Sequence, residues 1–227
     1  MISHRYRCIF IHIQRTGGTS IEEMITADDW WRREASTKHL LASQAKGLYA
    51  EYWDDYFKFS FVRHPVTRVM SCLKFADHFG LSLSKRNRIN FDDYHGLFGD
   101  KIVLEFDHRF YRRDEIIQPQ HCAGSVYGNI LDEELDFVGK FENLAEDTEF
   151  IRDRLRIRGK KLPHLERGLT SSLRPNQRVL AEIETLYSRD FERFGYRLQD
   201  TQLVRERPGL LDRFSRHPSG ALSLSRA

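Results

Sequence analysis

The chain is short of cysteine, of long apolar runs and of excess charge. Cys8, Cys72 and Cys122 are its only cysteines in 227 residues. Their odd number, wide spacing and lack of a CxxC pair argue against a disulfide framework or a zinc site and point to a reducing compartment. No stretch approaches the ~20 apolar residues of a membrane span. The apolar start of the chain is broken at His12 and Gln14. A soluble, cytoplasmic protein is therefore expected. Lys and Arg number 36 against 33 Asp and Glu, a net charge of +3. That balance excludes a non-specific nucleic-acid binder and leaves a compact anion as the expected partner. No solenoid-type repeat is visible. Hydrophobic content of 40% supports one sizeable core, read as a single α/β domain over residues 1–199, with a polar, Ser-rich tail at 200–227 that lacks the means to pack.

What is present is an alternation of strand-like and helix-like segments. Residues 8–13, CIFIHI, are β-branched and aromatic and run toward Gly17-Gly18, as a buried strand closed by a tight turn would. A helix is expected from about Ser20, where Ser20 and Glu23 have capping-box spacing and Ile21, Met24 and Ile25 share a face. The same grammar recurs at FKFSFV, 57–62, followed by Pro65 in a tolerated first-turn position and by Val69, Cys72, Leu73 and Ala76 at helical spacing. A third strand is expected at 135–142, with a helix over 143–157 opened by the cap-like pair Asn143 and Glu146. A late helix over 175–194 carries Val179, Leu180, Ile183, Leu186 and Tyr187 and stops at Gly195. Strand–helix repetition of this kind favours a central parallel sheet flanked by helices. Between the units, residues 77–120 are polar, aromatic and basic. Lys85, Arg86, Arg88, Tyr94 and Phe98 would suit an acidic or sugar-like acceptor, or form a solvated insertion.

The turn QRTGGTS, 14–20, concentrates anion-binding chemistry. Backbone amides of a Gly-containing loop, continued into a helix N-terminus, form a concavity for phosphate. Arg15 adds charge before the glycines, and Thr19 and Ser20 add hydroxyls after them. The loop differs from G-x-x-x-x-G-K-[ST], because no Gly-Lys-Ser/Thr follows and the basic residue precedes the glycines. A plain strand–turn–helix, its glycines relieving crowding, accounts for the same residues. The second unit, FVRHPVTRVMS at 61–71, places Arg63 at a strand end and Ser71 on the next helix, where both would meet a further phosphate. Two anion sites at neighbouring strand ends suit a nucleotide with two separated phosphates.

These residues resemble the sulfotransferases that use 3′-phosphoadenosine 5′-phosphosulfate (PAPS), in particular the carbohydrate-type, hexuronic-acid O-sulfotransferase-like branch. QRTGGTS matches the family's approximate P-K-T-G-G-T-S, and Val62, Arg63, Pro65, Arg68 and Ser71 match V-R-x-P-x-x-R-x-x-S. FVGKFENLAED, 137–147, and LPHLERG, 162–168, look like later landmarks. The resemblance implies a P-loop-like three-layer α/β fold, no metal, and a PAPS-dependent transfer of a sulfuryl group to a hydroxyl, of a sugar or glycoconjugate. It implies that Arg15, Thr16, Gly17, Gly18, Thr19 and Ser20 surround the 5′-phosphosulfate, that Arg63 and Ser71 hold the 3′-phosphate, and that His164 and Arg167 close a late loop. Arg68 reads as fold support or an ion-pair partner. The family's lysine is Arg15 here and its proline Gln14. Arginine keeps charge and a fork of donors but is bulkier and never gives up its proton.

In-line transfer also needs a base for the acceptor's proton. Histidine, with an unperturbed pKa near ~6.5, suits it. The resemblance points to His39; His12 is a rival if strand alternation turns it inward, and Glu51 is a carboxylate fallback. His121 beside Cys122 has no second ligand pair for a metal. A nucleotide-binding protein without catalysis is the main alternative. A kinase would need Mg²⁺ carboxylates, and Asp54-Asp55 is not a Walker-B run.

Overall fold

The strand that starts at Cys8 is buried on both faces, and this decides the architecture around it. The computed structural model describes residues 1–78, 127–159, 162–163 and 177–203. A two-residue strand β1 (Ile2–Ser3) leads into β2 (Cys8–Ile11), then α1 (Gly18–Thr26), α2 (Trp30–Glu34), α3 (Ala42–Leu48), α4 (Ala50–Trp53), β3 (Phe57–Val62) and α5 (Pro65–His78). Beyond residue 126 come α6 (Tyr127–Ile130), β4 (Phe137–Lys140), α7 (Leu144–Arg154), α8 (Gln177–Leu186), α9 (Ser188–Phe194) and α10 (Asp200–Leu203). The four strands form one sheet in the order β1-β2-β3-β4. β2 and β3 pair in parallel with Phe10 opposite Phe59, and β3 and β4 in parallel with Phe61 opposite Gly139. β1 is an antiparallel edge, Ile2 opposite Ile9, absent from the expected all-parallel sheet.

Side chains alternate across β2, so the sheet feeds two cores. Cys8 and Phe10 pack with Phe59, Phe61, Ile21, Met24 and Ile151, which brings α1 and α7 onto one face. Ile9 and Ile11 pack with Val62, Val66, Ala42, Tyr127 and Ile183, which brings α3, α5, α6 and α8 onto the other. The chain is thus a mixed α/β structure, its four-stranded sheet flanked by helices. Burial pushes the Cys8 thiol up to about 12, so it behaves as a small apolar residue.

Element boundaries depart from the sequence reading at the caps. α1 begins at Gly18, two residues before Ser20, with Gly17 as a left-handed N-cap (φ 86°) and no side-chain cap. The Ser20/Glu23 box is unused because the glycine turn enters the helix earlier. Asn143 makes no capping bond either; Asp147 instead reaches back to accept the Lys140 amide (2.6 Å). The single helix expected over 175–194 is two, α8 and α9, broken at Tyr187, and the stop at Gly195 adopts the left-handed cap (φ 62°). The short helices α2 to α4 carried no clear periodic signal. Residues 204–227 and most of the 77–120 segment lie outside the described residues.

The exit of β3 is closed by one buried tyrosine. Tyr127 accepts the Arg63 amide (3.0 Å) and donates to the Arg63 carbonyl (2.5 Å), while its own amide and that of Gly128 are accepted by Asp190 (2.7 and 3.0 Å). Burial raises the Tyr127 phenol far above its ordinary range, so it stays a donor at any accessible pH. Tyr127→Phe strands both backbone groups of Arg63 and is expected to cost about 1–3 kcal/mol. The check is a lower urea midpoint with an unchanged slope; an unchanged midpoint refutes it.

Candidate functional site

The loops that follow β2 and β3 leave the same edge of the sheet, since parallel neighbours end side by side. The first loop turns through two left-handed residues, Arg15 (φ 63°) and Gly17 (φ 86°). Glycine adopts such an angle freely, but arginine does so at a cost of roughly 1–2 kcal/mol. Thr16 is buried, its hydroxyl donating to the Ile13 carbonyl (2.8 Å) and pinning the turn. The amides of Gly18 and Thr19 open α1 ahead of its first backward bonds, from Ser20 and Ile21 to the Gly17 carbonyl (3.2 and 3.4 Å). They are donors of the kind that bind anions at helix N-termini. Thr19 and Ser20 are partly exposed in this first turn.

The second loop is stitched to the first by three arginines. Arg15 Nε donates to Ser71 Oγ (3.0 Å), Arg63 Nη1 donates to the Arg15 carbonyl (3.2 Å), and buried Arg68 donates through Nε to the Gln14 carbonyl (3.2 Å). Arg63 also donates to Thr67 Oγ1 (3.0 Å) and lies over the Phe141 ring, 4.2 Å from its centroid. Arg68 lies over the Tyr127 ring. Glu142 accepts the His64 amide (2.8 Å) and the Tyr196 hydroxyl (2.9 Å), closing the start of α5. Burial holds His64 below its usual pKa, and its Nε2–H donates to the Arg197 carbonyl (2.9 Å).

Two histidines lie on the other side of the first loop. His12 and His39 are buried, their rings meeting edge to face at 4.5 Å. His39 Nδ1 bonds the His12 carbonyl (3.0 Å). A carbonyl only accepts, so this nitrogen carries the proton, and Nε2 is the atom that can serve as a base when the ring is neutral. His12 Nδ1 bonds Glu22 Oε1 (2.6 Å), and the His12 ring lies so close to α1 that a Cβ on Gly18 would fall 2.2 Å from its Nε2. This close approach is why position 18 has no side chain. Burial lowers the His12 pKa, against the pull of Glu22, and leaves a neutral imidazole. Burial alone would raise the Glu22 carboxyl, but the His12 donor and the Lys38 ammonium hold it below the usual carboxylate range.

The fold therefore brings Arg15, Thr16, Gly17, Gly18, Thr19, Ser20, Arg63 and Ser71 to one edge, with His39 next to the strand that leads into the first loop. Arg68 supports the fold. Glu51 is exposed on α4. His121, Cys122, His164, Arg167 and the basic insertion lie outside the described residues. Among the described residues no group of His, Cys, Asp and Glu is arranged to hold a metal, and no helix is long and apolar enough to cross a membrane. Sequence reasoning missed Tyr127, Glu142, Asp190, Glu22 and Lys38. All five act through contacts distant in sequence, and only the proximity of Lys38 to His39 was visible in the chain.

Comparison with curated proteins and with solved structures gives no significant match. The model of the Sulfotransferase family matches residues 1–197, which include both loops, both histidines and all four strands. With that much of the sequence matched, and with its anion-binding loops at adjacent strand ends, the chain belongs to the sulfotransferase family.

Proposed function

We propose that this protein moves a sulfuryl group from PAPS to a hydroxyl of a sugar or glycoconjugate acceptor, within a P-loop-like three-layer fold and a reducing, cytoplasmic setting. The observation that carries the proposal is the bond from Arg15 to Ser71, because it joins a cation of the first loop to a hydroxyl of the second, an arrangement that suits a nucleotide with separated phosphates. In this reading the amides of Gly17, Gly18 and Thr19, with the hydroxyls of Thr16, Thr19 and Ser20, cradle the 5′-phosphosulfate, and Arg63 with Ser71 binds the 3′-phosphate. His39 Nε2 takes the acceptor's proton as its oxygen bonds to sulfur and the sulfur–oxygen bond to the nucleotide breaks. Arg15 and the α1 N-terminus offset the charge that grows on the departing phosphate oxygen. No metal is required in this scheme.

One observation favours a second reading. Arg15 stands where the family has lysine and is engaged with Ser71, so a nucleotide-binding protein without turnover would use the same loops. The kinase reading has less support. Asp54 and Asp55 precede β3, at the end of the sheet away from the loops, and Asp55 pairs with Arg7.

Nucleotide choice tests the binding half. 3′,5′-bisphosphoadenosine is expected to raise the melting temperature well above any effect of AMP or ATP, since binding stabilises by mass action. Equal stabilisation by ATP, with Mg²⁺ required, sinks the reading. Arg63→Ala should weaken that binding by about 1.5–3 kcal/mol, measured by calorimetry; an unchanged dissociation constant removes Arg63 from the site.

Single-turnover transfer at saturating PAPS tests the chemistry. His39→Ala should keep nucleotide affinity but slow transfer ~10²–10⁴-fold, the range for a positioned base. Wild-type rates in that variant would eliminate His39 and turn attention to His12. Arg15→Lys should retain activity, whereas Arg15→Ala should lose both binding and transfer. Tight nucleotide retention with no transfer to any acceptor class would select the non-catalytic reading.

A further inference from the structure

A closed ring of contacts surrounds the two histidines. Glu22, fully buried on α1, bonds His12 Nδ1 through Oε1 (2.6 Å) and the Lys38 ammonium through Oε2 (3.1 Å). The Trp30 amide also approaches Oε2 (3.4 Å). Lys38, itself buried, makes a second ion pair with Asp29 in the loop between α1 and α2. The next residue after Lys38 is His39, whose ring returns to the His12 carbonyl. One carboxylate therefore fixes His12 directly and holds the Lys38 ammonium, while His39 meets His12 through its ring and its carbonyl. A buried ion pair of this kind is weak evidence for stability alone, because desolvation cancels most of the attraction.

We propose that Glu22 and Lys38 are positioning residues: a buried carboxylate–ammonium pair that holds the His12 ring in place and, through the His12 ring and carbonyl, orients His39. The inference rests on His39 as the acceptor-side base, and it extends that reading to residues that touch neither nucleotide nor acceptor. The titratable groups around the rings are Glu22, Lys38, Asp29 and the Met1 amine, whose pKa burial lowers to about 6. At His12, Glu22 favours the imidazolium form and Lys38 opposes it. Removing them separately must move the His12 titration in opposite directions, which a general loosening of the site would not do.

The test uses ¹⁵N-histidine NMR on the full chain together with transfer kinetics. In the wild type, His39 should show a protonated Nδ1 and a bare Nε2, and His12 the same pattern. Glu22→Gln should shift the His12 titration to lower pH, Lys38→Met to higher pH, and each should slow turnover ~10–100-fold with affinity for 3′,5′-bisphosphoadenosine within twofold. If either single variant fails to fold, Glu22→Gln/Lys38→Met, which leaves no lone buried charge, should fold, titrate near wild type and still turn over slowly. The proposal is overturned by a His39 protonated on Nε2, by titrations that move together or not at all, or by wild-type turnover in the variants. The NMR result is read without any transfer reaction. It therefore separates failure of this inference from failure of the sulfotransferase chemistry, which nucleotide binding and acceptor assays test.

Discussion

Everything at the site follows from the parallel pairing of β2 with β3. The register, Ile11 opposite Ser60, brings β2 to its end two residues before β3 ends at Val62, so two chain exits with unpaired backbone groups emerge next to each other. Buried backbone polar groups must be satisfied. The chain meets that demand with side chains from far away: Ser60 bonds the Ile11 carbonyl, Arg68 the Gln14 carbonyl, Tyr127 both polar groups of Arg63, and Glu142 the His64 amide. The result is a rim held by side-chain hydrogen bonds, with the α1 amides of Gly18 and Thr19 at its first loop as donors of the anion-binding kind. Rigid donors cost little to reorganise when an anion arrives, which is what transfer of a charged group asks of its site.

The legible part of this arrangement was the part written in local pattern. FKFSFV spans β3 residue for residue, Pro65 opens α5, and Gly195 closes α9. Period-2 alternation and glycine or proline punctuation are properties of neighbouring residues, so they survive in the sequence. Caps were less legible. Ser20 and Glu23 have the spacing of a capping box, yet Gly17 takes the N-cap because its left-handed turn is the shortest route from β2 into the helix. The pairing of His12 with His39 was illegible: alternation placed His12 on a strand and resemblance placed His39 beside the site, but only the fold puts the rings 4.5 Å apart.

Burial gives the polar network its selectivity. Glu22, His12, Lys38 and His39 lie beneath the first loop rather than in solvent, where charges act on one another over short, poorly screened distances. An exposed carboxylate at the same spacing would barely change a histidine. The Cys8 and Phe10 face of β2 keeps water from this layer with Phe59, Phe61, Met24 and Ile151. The apolar core and the charged network are thus two sides of one design: the first provides the low dielectric that makes the second effective.

Arg15 carries a consequence for how this position can change over time. A left-handed angle of 63° is one that glycine holds without strain, so backbone strain alone would favour glycine at position 15, the residue already used two positions on. Such a change would remove the side chain that links the first loop to Ser71. Backbone comfort and the link between the two loops are in direct opposition at one residue.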